Sequence, residues 1–138
     1  EQKMLAKTKA KSPKENQDLM RSLGIATPPA SVYAIGRPAS AAVWWSNVES
    51  TEELIGFEVH RYRRDVEDWN YKGYIRIDMD ETYDKNQYVV TNLSDDKEYK
   101  FSIKAINKNG PSIESTLSNP VVVEQPLPAV SNYVTSIC

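Results

Sequence analysis

The stretch Tyr99-Lys100-Phe101-Ser102-Ile103-Lys104-Ala105-Ile106 constrains this chain more than any other. Tyr99, Phe101, Ile103 and Ala105 alternate with Lys100, Ser102 and Lys104. A period of two is the side-chain period of a β-strand, so one set faces a core and the other faces out. Asn109-Gly110-Pro111 then supplies a turn signal that closes the strand. The same alternation recurs along the chain. Ala41, Val43 and Trp45 alternate with Ala42 and Trp44, and Phe57 and Val59 with Glu58 and His60. Tyr88, Val90 and Leu93 precede a loop, and Val121-Val122-Val123 forms a last strand before Gln125-Pro126-Leu127-Pro128 ends strand pairing. Short strands at this spacing, with no long helix between them, predict an all-β antiparallel sandwich.

Length and composition bound what surrounds those strands. A chain of 138 residues has room for one ordinary domain. At 40% hydrophobic and 26% charged it can fill a core while leaving part of itself outside. Thr27-Pro28-Pro29 breaks any helix and enforces an extended path. The expected division is a basic arm over residues 1–28, a sandwich over 29–126 and an uncharged tail over 127–138. Residues 1–29 carry six bases against three acids, so the remainder is net −5 within a chain of net −2. That balance disfavours a generally cationic nucleic-acid binder. Cys138 is the one cysteine and His60 the one histidine, which leaves no internal disulfide and no Cys/His zinc set. No run approaches the roughly 18 apolar residues that span a bilayer, and residues 1–23 lack the apolar centre of a signal peptide. In the arm, Ser12-Pro13-Lys14-Glu15 fits a capping box and Gly24 suits the position just past a helix end. A short helix over residues 13–23 follows, with Leu19, Met20 and Leu23 as one apolar stripe. About three turns is marginal alone in water, so this stripe needs a surface, on this domain or on a partner.

Residues 29–126 resemble a fibronectin type III domain. The resemblance is carried by Pro28-Pro29, Val43-Trp44-Trp45, Leu54-Ile55-Gly56-Phe57-Glu58-Val59, and Leu93-Ser94-Asp95-Asp96-Lys97-Glu98-Tyr99-Lys100-Phe101 leading to Ala105-Ile106-Asn107 and Gly110. The Leu-to-Tyr spacing of six, with Phe, Ile, Ala and Asn following at alternate positions, is its most specific part. It covers about 97 of the 138 residues. It implies a seven-stranded immunoglobulin-like sandwich with a short N-terminal helix and extended tails. It also implies that Trp45 is the core tryptophan and that the Tyr99 hydroxyl bonds back to upstream backbone. Two departures lie in loops: Asp95 stands where the family usually has Pro, and residues 62–77 are longer and more aromatic than a plain connection. The family is mostly spacer and binding module, and the resemblance implies no catalysis.

Catalytic and metal chemistry find little support in the residues. His60 lies on a strand face with no cysteine nucleophile near it in sequence and is expected to be a solvated strand residue. Asp78, Asp80, Glu81 and Asp84 crowd together, but a calcium loop needs Gly at its sixth position and Tyr83 stands there. The five glycines are scattered singly, so no phosphate loop exists. No enzyme, cofactor, metal or small-molecule substrate is expected. Asn92-Leu93-Ser94 is a glycosylation sequon, usable only in a secreted chain. No Arg-Gly-Asp occurs, and the corresponding turn reads Asn107-Lys108-Asn109-Gly110.

Surface aromatics point to partners. If Trp45 faces inward, parity turns Trp44 outward, beside Val89. On the opposite sheet His60, Tyr62, Lys100 and Lys104 share the outer face. Arg61, Arg63 and Arg64 stand at the strand end, and Trp69, Tyr71 and Tyr74 in the following loop, diluted by Glu58, Asp65, Glu67 and Asp68. The candidate contacts are therefore Trp44, His60, Tyr62, Lys100, Lys104, Leu19, Met20 and Leu23. The expected function is a non-catalytic protein–protein interaction or scaffold module whose arms clip onto a larger assembly, cytoplasmic and of cytoskeletal or axonemal (ciliary) kind. The alternative is an extracellular adhesion or receptor fragment.

Overall fold

The computed structural model describes residues 13–82 and 86–125. Helix α1 (Pro13–Ser22) precedes eight strands: β1 (Val32–Arg37), β2 (Ser40–Trp45), β3 (Leu54–Asp65), β4 (Asp68–Asp78), β5 (Gln87–Val90), β6 (Glu98–Asn107), β7 (Gly110–Pro111) and β8 (Val121–Val122). One sheet has the order β1-β2-β5, and the other β4-β3-β6-β7 with β8 also on β6. All strand pairs within the two sheets are antiparallel. The inner faces meet on Val43, Trp45, Phe57, Val59, Ile77, Val90, Phe101, Ile103 and Val123, all buried. Trp45 packs edge-on against Phe57 with centroids 4.9 Å apart. Tyr99 is buried, and its hydroxyl accepts the Ser94 N–H at 3.0 Å. Both residues stand where alternation and the resemblance place them.

Among the described residues the strand count is eight rather than seven because the last strand is split. Between β7 and β8, Ser112, Ser115 and Ser118 run along β6 at intervals of three residues. Their N–H groups donate to the carbonyls of Ala105, Ile103 and Phe101, while their Oγ atoms accept the N–H groups of those same residues. Each hydroxyl then donates to the next residue's carbonyl. This serine ladder satisfies the buried edge of β6 without a regular strand.

Two elements depart from the sequence reading. β1 alternates, but Tyr33 and Ile35 on its outer side are apolar and exposed, so no polar face marks it as a strand. Trp69, Tyr71 and Tyr74 lie on β4, not in a loop. Tyr71 pairs with Tyr62 and Tyr74 with His60, so β4 spends one residue more than β3 between those pairs. Gly73, at φ +94°, takes up that bulge. Trp69 and Tyr71 before it and Tyr74 and Arg76 after it therefore share one face despite opposite parity, which hid the strand from an alternation test.

The first and last segments are stitched together. The Asn119 side chain accepts from the Ala34 N–H at 3.0 Å and donates to the Ala34 carbonyl at 2.9 Å. Glu124 donates to the Arg37 carbonyl at 3.2 Å and accepts from the Ala39 N–H at 3.1 Å, beside a parallel bridge between Pro38 and Glu124.

Candidate functional site

The outer face of the larger sheet is built in cross-strand rows. Glu58 lies between Arg76 and Lys104, His60 between Tyr74 and Ser102, Tyr62 between Tyr71 and Lys100, and Arg64 pairs with Trp69. His60, Tyr62, Lys100 and Lys104 do share this face. His60, however, is 4% exposed. Its Nε2 lies 2.8 Å from Glu58 Oε1 and its Nδ1 2.8 Å from Tyr71 Oη, while its ring stacks on Tyr74 at 4.9 Å. A carboxylate can only accept, so the neutral ring that fits donates from Nε2 to Glu58 and accepts at Nδ1 from the Tyr71 hydroxyl. His60 is thus a buried strut and not the solvated residue expected, because the bulge in β4 brings two tyrosines over it.

Beside it, Glu114 Oε2 accepts from the Tyr62 hydroxyl at 2.5 Å and from Ser102 Oγ at 2.6 Å. Burial, followed by the adjoining Glu114, pushes the Tyr62 phenol up to about 12. Glu114 projects from the serine ladder, and no strand pattern in the sequence marks it; the repeated Ser-x-x-Ser spacing was the available signal. Lys100 Nζ sits 4.6 Å from the centroid of Trp69. Arg64 pairs with Glu98 at 3.2 Å. With these cations engaged, the face is less basic than its composition suggests. What it offers outward is aromatic: Tyr71 is 49% and Tyr74 54% exposed.

A second surface is helical. Gly24, at φ +76°, terminates α1: its N–H donates to the Arg21 carbonyl and the Ile25 N–H to the Met20 carbonyl, a Schellman motif. The Gly24 carbonyl accepts from Asn107 Nδ2 and Asn109 Nδ2, each at 2.9 Å, and Arg21 reaches Glu49 at 4.0 Å. The helix end is therefore tied to the sandwich. Met20 is half-buried, yet Leu19 and Leu23 remain 42% and 58% exposed. The capping Ser12 lies outside the described residues.

Trp44 is half-buried on the outer face of the smaller sheet, paired with Tyr33 and Gln87; Tyr33, Ile35 and Val89 on that face are exposed. Asn92 is exposed at φ +59° and Leu93 after it is buried. Glu81 accepts from the Asp78 N–H at 2.9 Å, so the exposed Asp78, Asp80 and Glu81 group forms the cap of a short 3-10 turn. Tyr83 and Asp84 lie outside the described residues. No helix among the described residues is long and apolar enough to cross a membrane.

The fibronectin type III domain model matches residues 27–123. Among solved structures, domains A168–A170 of titin are similar over 73% of this chain and 33% of theirs, with 25% identity and a TM-score of 0.57. The FN1–FN3 domains of chicken CNTN1 are similar over 73% of this chain and 34% of theirs, with 20% identity and a TM-score of 0.57. The twitchin kinase region from C. elegans is similar over 72% of this chain and 17% of its own, with 16% identity and a TM-score of 0.55. The chain thus aligns with about a third of the titin and CNTN1 fragments and less of the twitchin region. No curated protein matches it.

Proposed function

The chain belongs to the fibronectin type III domain family, and from that premise we propose that it is a non-catalytic protein-interaction or scaffold module. One observation carries the reading: α1 is pinned at its C-terminal end by Asn107 and Asn109, yet its Leu19 and Leu23 face solvent. An apolar stripe held in place has already lost its freedom without gaining burial, so a partner groove would collect most of the hydrophobic benefit. The Tyr71 and Tyr74 rings give a second anchor, rigid because His60 and Glu58 lock them from beneath. The basic arm over residues 1–28, the sandwich over 29–126 and the tail over 127–138 would then act as clip, body and clip in a larger assembly of cytoskeletal or axonemal kind. Affinity capture with the whole chain, with Leu19→Ser/Leu23→Ser and with Tyr74→Ala tests this. The expected result is loss of the same captured protein in the variants, at unchanged melting temperature for Leu19→Ser/Leu23→Ser. Capture indifferent to all three substitutions would refute it. The exposed Asn92 sequon favours a second reading, an extracellular adhesion or receptor fragment. A glycan on Asn92 in the native protein, seen by mass spectrometry, would select that reading.

A further inference from the structure

Away from both surfaces, a cleft of about 220 Å³ opens where the β3–β4 hairpin overhangs the loop of residues 91–97. Arg61, Arg63, Lys72, Asn92, Ser94 and Tyr99 line it. Its lining is rich in donors and contains no carboxylate. The nearby Asp65 holds Arg63 at 2.8 Å and Lys72 at 3.2 Å. Arg61 has no carboxylate partner among the described residues; its Nε donates to the Lys72 carbonyl at 3.4 Å. Two of the three cations thus share one acid, and Arg61 is left without one. The Tyr99 oxygen already accepts the Ser94 N–H, and among the described residues no acceptor takes its own proton. The side chains of Asn92 and Ser94 are likewise without partners among the described residues.

We propose that this cleft binds a phosphate monoester, with Arg61 as its principal contact and Lys72, Ser94 and Asn92 around it. A carboxylate has two oxygens and one charge, too few for donors converging from β3, β4 and the 91–97 loop. A phosphate monoester brings three terminal oxygens and close to two charges, and charge-assisted bonds to guanidinium are the strongest available to it. The volume takes the phosphate and the first atoms of its ester and leaves no room for a base and sugar together. The group would come either as free phosphate or on a phosphorylated side chain of a partner protein.

Proton–nitrogen correlation spectra of the whole chain test this, titrated with inorganic phosphate, with a phosphoserine peptide, with its unphosphorylated counterpart and with chloride at matched ionic strength. Both phosphates should move the Ser94 amide and the Arg61 Nε–H signals in a saturable way, while chloride and the unphosphorylated peptide should not. Arg61→Gln should weaken binding by about tenfold or more. Where that variant fails to fold, Ser94→Ala is read by the same criterion of weakened binding. Saturation at lower concentration by the peptide marks a protein-borne phosphate, and saturation at equal or lower concentration by inorganic phosphate marks the free anion. Unchanged affinity in the folded variant, or shifts that spread over the surface cations with chloride as well, would overturn the assignment.

Discussion

Tyr62 and Glu114 are 52 residues apart in sequence, and burial together with the hydrogen bond they share changes how the phenol ionises. The Tyr62 pKa stands near 12 against an ordinary 10, so the folded state holds this proton more tightly than the unfolded state. Its stabilisation is fully present below about pH 10 and is lost as pH rises through about 12. Alkaline titration followed by phenolate absorbance should show a component delayed to about pH 12 that disappears in Tyr62→Phe. A titration in which every tyrosine ionises at its ordinary pH would contradict the geometry. Tyr99 tests the core. Tyr99→Phe leaves the ring in place but strands the Ser94 N–H, at an expected cost of about 1 to 3 kcal/mol by denaturant unfolding. Both Trp45 and Tyr99 were legible in the sequence because the resemblance to the family assigned their roles on strands that alternation had already marked; alternation alone could not choose between Trp44 and Trp45. The burial of His60 was not, because it depends on which way Tyr71 and Tyr74 point across a bulge.

At the scale of elements, regularity decided what could be read. β2, β3 and β6 carry apolar residues at every second position and were found. β4 changes parity at Gly73, and the serine ladder keeps a period of three, so neither fits a strand template. The ladder is testable apart from the strands it replaces. Ser115→Ala removes the Oγ that accepts the Ile103 N–H at 2.8 Å inside the protein. That leaves a buried donor unpaired, with an expected loss of about 1 to 3 kcal/mol in chemical denaturation. Ser94→Ala, at an exposed position whose hydroxyl has no partner among the described residues, should stay within about 0.5 kcal/mol and serves as the control.

Across the whole molecule, β6 runs from the loop containing Asp96 to the turn containing Asn109, so the two lie at opposite poles of the sandwich. Helix α1 is tied at the Asn109 pole, while Gln125 meets Asp96 at the other. Neither tie was legible from local pattern, since each joins residues from distant parts of the chain. β1 descends from the first pole, and the segment from Ser112 to Gln125 descends beside it, joined by the paired Asn119–Ala34 bonds and by Glu124. Tension applied through Gly24 and Gln125 would therefore drag these two parallel segments past each other. The cross-links would be loaded sideways and would have to rupture together instead of peeling open one at a time. Stretched singly in an optical trap, the protein should resist as a mechanical clamp, and Asn119→Ala should yield at a clearly lower force. Equal rupture forces would place the resistance elsewhere in the fold.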